Sequence, residues 1–200
     1  GNGGMYINTS GIGFVGSDSP AAVKIKAGDS VLVSGTVGDH HSAILSARLS
    51  VGNEIVSDVA PLTKEVECLL ATGLDIHAMR DVTRGGLATV LSEMCQASGK
   101  CIEIEEELIP VKPEVKGFAS LMGLEPCYMG NEGKMIVVLP CEQAEQAIEL
   151  LKQTKYGKDA AIIGRVIDDE SAKSELYMKT LLGGTRILGP LAGEGLPRIC

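Results

Sequence analysis

Residues 81–98 carry the strongest constraint on how this chain folds. Leu87, Val90, Leu91, Met94 and Cys95 recur at i, i+3, i+4, i+7 and i+8, which predicts an α-helix with one apolar stripe. Such a stripe has to be laid against another layer of structure. Just before it runs Asp81-Val82-Thr83-Arg84-Gly85-Gly86, which reads as a loop feeding the helix N-terminus. Free backbone N–H groups and the positive end of the helix dipole attract anions there, and paired glycines let a ligand approach the backbone. Arg84 would add a bidentate phosphate contact. A structural role is equally open, with Asp81 or Thr83 capping the first N–H groups and the glycines permitting tight packing.

Around this helix the pattern predicts strands at 5–8, 30–34, 101–105, 135–139, 160–167 and 175–180. Helices are expected from Asp39 as N-cap through Leu49, from Leu62 to Ala71, from Pro113 to a stop at Gly123, and along Ala144, Ala147, Ile148 and Leu151. Val66, Leu69 and Leu70 should share one face, with Gly73 as the stop. His40 and His41 fall in a first turn and read as surface or cap residues. Gly183-Gly184-Thr185-Arg186 should turn the chain into a tail. Strands and helices are interspersed without strict alternation, which points to an α+β fold with helices packed on a mixed β-sheet.

Several function classes drop out. The glycines at 11, 13 and 16 spell G-x-G-x-x-G, but no long helix opens there, as the dinucleotide fingerprint requires. No Walker A sequence is present. A net charge of −8 without a basic stripe argues against nucleic acid. The run Glu103-Ile104-Glu105-Glu106-Glu107 is expected to be a solvated strand face and turn. With 44% hydrophobic residues and 3% aromatics, the core should be aliphatic.

The six cysteines contain no C-x-x-C pair and no zinc spacing with the three histidines, so no metal site is expected. Their spacing is that of a protein kept in a reducing cytoplasm. No run is long enough to span a bilayer and no signal peptide is evident, which leaves Asn8-Thr9-Ser10 without meaning as a glycosylation acceptor. A start at Gly1 rather than methionine reads as a fragment.

Two positions invite chemistry. Asn131-Glu132-Gly133-Lys134 precedes an apolar strand, and a partly desolvated carboxylate at such an edge moves protons near neutral pH; an ordinary turn glutamate is the alternative. The chain ends in Pro197-Arg198-Ile199-Cys200, after Gly189, Pro190, Gly193 and Gly195. These residues disfavour helix and strand interiors, so a mobile tail carries a thiol at its tip. The adjacent carboxylate opposes thiolate formation, so something else has to activate Cys200. Prenylation would need three residues after the cysteine.

Taken together, five stretches resemble the hydrogenase expression/formation (HypE) family. That family is related to aminoimidazole ribonucleotide synthetase and selenophosphate synthetase. The stretches are Ile7-Asn8-Thr9-Ser10-Gly11-Ile12-Gly13, Ser57-Asp58-Val59-Ala60-Pro61-Leu62, residues 81–87, residues 131–134, and residues 191–200 with the family's terminal Pro-Arg-Ile-Cys.

The resemblance implies an α+β domain like the C-terminal domain of aminoimidazole ribonucleotide synthetase at 29–188. Residues 1–28 would be a strand and connection from an N-terminal ATP-binding domain, and 189–200 a flexible tail. It implies a carbamoyl group delivered to Cys200 by the carbamoyltransferase HypF. ATP-dependent dehydration to a thiocyanate would follow, and then transfer of cyanide to iron on a HypC–HypD complex for [NiFe] hydrogenase. Glu132 would be the base and Asn131 its orienting neighbour, with Asp81, Thr83, Arg84, Gly85 and Gly86 on the nucleotide or phosphate side. ATP and Mg would be held mostly by the N-terminal domain, so this chain alone should bind ATP poorly and be inactive. The full-length protein would be a homodimer. His41 stands where the family pattern has glycine, so the 38–41 loop receives no role. The alternatives are a selenophosphate synthetase-like enzyme and a non-catalytic docking module that presents its tail.

Overall fold

The structure, a computed structural model, describes residues 8, 10–16, 19–169 and 174–191. Of the strand expected at 5–8 only Asn8 is described, outside any strand, and the tail beyond residue 191, with Cys200, lies outside the described residues. No helix follows residues 10–16; a 3₁₀ turn at Ala22–Lys24 comes next, so the dinucleotide reading fails on structure as well.

One mixed sheet is built from β1 (Asp29–Val33), β2 (Ala78–Asp81), β3 (Cys101–Glu105), β4 (Met135–Pro140), β5 (Ala161–Ile167), β6 (Leu176–Lys179) and β7 (Thr185–Leu188). Its order is β2-β4-β1-β5-β3-β6-β7. Only β3 and β6 run parallel; the other neighbours are antiparallel. The helices are α1 (Asp39–Arg48), α2 (Thr63–Leu70), α3 (Gly86–Ser98), α4 (Pro113–Met122) and α5 (Ala144–Lys152).

The two-residue period of the strands divides the core. Val31, Val33, Ile136 and Val138 face α3, whose Leu87, Val90, Leu91, Met94 and Cys95 are all buried, as their spacing predicts. Leu32, Met135, Val137 and Leu139 face α2 and α5. Strands covered on both faces have no polar side to show, which is why β1 and β4 read as nearly unbroken apolar runs. Toward β3 and β6 the second face opens. There Glu103 pairs with Arg165 and Lys179, and Lys179 above all holds its carboxyl below the usual range. Part of the acidic run is therefore an ion-paired sheet face rather than free surface.

Local details depart from expectation. Gly38, in the left-handed region at φ 86°, is the N-cap of α1, and Asp39 is its first residue. The Asp39 carboxylate turns away to Thr36 Oγ1 and Lys112, so it is unavailable for capping. His40 and His41 are buried rather than on the surface. On α2, Leu69 is buried but Leu70, about 100° further round the helix, is exposed. The segment around residue 185 does not leave the sheet: a turn at 181–184 folds β7 back on β6. Ala78–Asp81 forms an edge strand that the pattern did not predict, and Asp81, expected to open the loop, is its last residue. Among the described residues no helix is long and apolar enough to cross a membrane.

Candidate functional site

The pairing of β2 with β4 brings the two chemistry-bearing stretches side by side. Asp81 lies opposite Met135, and the Val82 N–H donates to Lys134 O at 2.9 Å. The 81–86 loop and the 131–134 turn therefore leave the sheet together, at the edge formed by its first two strands.

Asn131 joins them. It is buried, and its Oδ1 accepts the Gly38 N–H at 2.8 Å. Its Nδ2 donates to Val82 O at 3.1 Å and Met129 O at 3.2 Å, and its own N–H also reaches Val82 O. The side-chain amide is fully committed to backbone, so it fixes the turn and the start of α1 rather than touching the neighbouring carboxylate.

Glu132 is half-buried, and its carboxylate makes no hydrogen bond or ion pair with a described residue. Its position is set through the backbone, because its N–H donates to Asp58 Oδ1 at 3.0 Å. Asp58 Oδ2 lies 3.2 Å from Lys134 Nζ, and both side chains are almost wholly buried. Gly133 between them has to be glycine. A Cβ there would run into Asp58 O and come within 2.9 Å of Ala60 N, so the 57–60 segment lies flat on the turn. His40 Nδ1 meets Ser57 Oγ at 2.8 Å, which ties that segment to α1. His41 beside it is buried, and burial first, then His40 and Arg48, lowers its pKa.

In the 81–86 loop, Thr83 Oγ1 donates to Asp81 Oδ2 at 2.9 Å, and no side chain caps α3. Gly85 and Gly86 both adopt positive φ, and a Cβ on Gly86 would stand 2.6 Å from Cys127 O. Gly86 thus serves tight packing against 127–129, while Arg84 is exposed and makes no ion pair with a described residue. The chain beyond β7 passes over the same place. Tyr128 Oη donates to Gly189 O at 3.2 Å, and the Leu191 N–H donates to Thr89 Oγ1, on the first turns of α3, at 3.0 Å.

The structure therefore gathers Asn131, Glu132 and the 81–86 loop; Cys200 lies outside the described residues. Asp58, Lys134, Lys112 and the histidines at 40 and 41 belong to the same cluster, although no role was expected of them. Asp58 and Lys134 stand inside the 57–62 and 131–134 motifs, which was the one available signal; their pairing across the chain had none. Among the described residues no group of three or more His, Cys, Asp or Glu side chains is placed to hold a metal ion.

This mixed sheet, with the site at its β2–β4 edge, defines a class. The chain belongs to the family of AIR synthase related proteins, matching their C-terminal domain over residues 26–176. Within it, the match is to the C-terminal part of HypE proteins. The carbamoyl dehydratase HypE of Rhodobacter capsulatus is 38% identical over 200 residues, covering 98% of this chain and 58% of that protein. The carbamoyl dehydratase HypE of Bradyrhizobium diazoefficiens is 44% identical over 202 residues, with the same coverage of 98% and 58%. A crystal structure of hydrogenase maturation protein HypE superposes with a TM-score of 0.88 at 41% identity, covering 93% of this chain and 60% of that one. HypE in complex with ATP gives 0.86 at 41% identity over 90% and 55% of the two chains. The HypE–HypF complex gives 0.79 at 44% identity over 84% and 54%. The chain thus spans a little under three-fifths of the length of the curated relatives it matches.

Proposed function

We propose that this chain is the C-terminal portion of an ATP-dependent carbamoyl dehydratase of hydrogenase maturation, acting in the cytoplasm, with Cys200 as the covalent carrier. On this reading 29–188 is the domain, 1–28 connects it to an N-terminal ATP-binding domain, and 189–200 is the carrier tail. The observation that carries the reading is the anchoring of Gly189 and Leu191 to Tyr128 and Thr89. Tyr128 stands four residues before Glu132 and Thr89 three residues after the 81–86 loop, so the tail starts from the elements that flank both. From Leu191 the nine residues that end in Cys200 reach up to roughly 30 Å at about 3.3–3.6 Å each, a span over which the thiol can visit Glu132 and then a partner.

The chemistry joins a carbamoyl group to the Cys200 sulfur and removes water from it, leaving S–C≡N. Its amide nitrogen gives up two protons, one to Glu132 and one to the departing phosphate, and its oxygen leaves on that phosphate. The phosphoryl group comes from ATP, as the HypE–ATP complex supports. Glu132 takes the proton from nitrogen; its carboxylate has no other described partner to compete for it. Asn131 and Asp58 hold the turn that presents it. In the 81–86 loop, Arg84 is the group left to meet the nucleotide. Asp81, Thr83, Gly85 and Gly86 shape the backbone around it. None of these residues is assigned to magnesium, which with most ATP contacts belongs to the N-terminal domain. This chain alone is therefore expected to bind ATP weakly and to be inactive; tight binding in a titration would contradict that.

The HypE–HypF complex supports a HypF-like protein as carbamoyl donor. A HypC–HypD pair as cyanide acceptor and a homodimer at full length follow from the family reading. The test is intact mass after incubation with HypF, carbamoyl phosphate and ATP. A carbamoyl-sized gain that disappears in Cys200→Ala is expected, and a gain that persists in that variant would contradict the carrier.

A further inference from the structure

Next to the 131–134 turn lies a cleft of about 240 Å³ whose lining reverses the charge of the molecule. The whole chain carries −8, yet Lys112, Lys134, Lys155 and Lys158 line this cleft against only Asp58 and Asp159. The Thr36 and Ser57 side chains complete its polar wall.

Two of the lysines are held by buried carboxylates. Asp39 is 0% exposed and lies 3.0 Å from Lys112 Nζ; Asp58 is 3% exposed and lies 3.2 Å from Lys134 Nζ. Neither Asp39 Oδ1 nor Asp58 Oδ2 accepts a hydrogen bond, so each ammonium is held by charge but off the hydrogen-bond line. An ammonium has three N–H donors and no acceptor of its own. Lys134 is only 8% exposed and is ion-paired with Asp58. One carboxylate oxygen faces at most one of those N–H directions, which leaves the others for an incoming acceptor. Lys155 and Lys158 add charge at the mouth, where Lys155 lies over the Tyr156 ring.

We propose that this cleft binds a phosphate group, with Lys134 and Lys112 as the inner donors and Lys155 and Lys158 as the outer ones. The buried carboxylates of Asp39 and Asp58 hold the two inner ammonium groups in place, so an incoming oxyanion meets donors that are already positioned. A tetrahedral oxyanion with several acceptor oxygens satisfies both inner lysines at once. The inference deepens the dehydratase reading and rests on it for its role: Lys134 is two residues from Glu132, so the site would hold the phosphate that leaves with the carbamoyl oxygen.

The test is ³¹P NMR of inorganic phosphate titrated into this chain at constant ionic strength set with chloride, repeated with ATP. Saturable broadening is expected, weakened about tenfold in Lys155→Ala/Lys158→Ala. It should be abolished in Lys134→Met/Asp58→Asn, which removes both buried charges together and leaves neither unpaired. If ATP broadens through its terminal phosphate and displaces inorganic phosphate, the nucleotide is the source of the occupant; if it does not, the free ion is, and either result keeps the site. Loss of binding in Arg84→Ala with retention in both lysine variants would overturn the proposal, as would no saturable broadening at all. Binding is read without turnover, so this result stands apart from whether Glu132 is the base.

Discussion

Asp58 Oδ1 accepts the backbone N–H of Glu132 at 3.0 Å, across 74 residues of chain. An acid from the 57–60 segment thereby sets the place of the proposed base. Its other oxygen faces Lys134, so one carboxylate holds both ends of the turn. Asp58→Ala in the full-length protein should cut the rate of water loss from the carbamoylated enzyme by about tenfold or more, in keeping with a lost charge-assisted hydrogen bond. Asp58→Asn keeps an oxygen for the Glu132 N–H but leaves Lys134 without its counter-charge, so it should recover only part of that loss. Equal damage from both variants would mean that Asp58 acts through its charge instead.

Gly133 tests the same junction by volume. A single methyl there meets Asp58 O and Ala60, so Gly133→Ala should cost about 1–3 kcal/mol through overpacking. Urea unfolding of this chain measures it. A variant within error of the parent would show that the 57–60 segment does not rest on the turn in solution.

His41 gives a pH dependence with a definite sign. Burial lowers its pKa in the folded chain, so on acidification the unfolded chain takes up the proton first. Its contribution is present above the ordinary histidine value, about 6.5, and is lost as pH falls below it. Urea midpoints should fall from pH 7.5 to pH 5.5, and His41→Gln should flatten that slope.

Thiol reactivity should divide the cysteines. Burial pushes Cys95 and Cys127 up to about 12, while Cys141 is exposed. At pH 8 an alkylating reagent should modify Cys141 in the native chain and reach Cys95 and Cys127 only after unfolding. Peptide mass mapping reads this directly. Rapid native labelling of Cys127 would contradict the packing of 127–129 against Gly86.

What the sequence reveals about this fold follows from how local each signal is. α3 and α5 are legible because their apolar stripes repeat over enough residues to exclude other readings. β4 is legible because it is covered on both faces. β2 is not: it is a four-residue edge strand, and only Ala78 of the four is buried. β7 is hidden for a similar reason, with three of its four residues exposed, so its glycine turn looks like the start of a tail. The site divides in the same way. Glu132 and the 81–86 loop announce themselves by residue type and neighbours. Asp58, Lys134 and Lys112 act through partners far away in the chain, and Asp39 looks like a helix cap until Thr36 and Lys112 claim its carboxylate.

The central claim is that Glu132 removes the proton that lets the carbamoyl oxygen leave. The most direct measurement is the intact mass of the full-length protein carrying Glu132→Gln, after supply of HypF, carbamoyl phosphate and ATP. The account predicts that the carbamoyl group still arrives on Cys200 and that the later loss of water stops. Water loss at the parent's rate in that variant would contradict it.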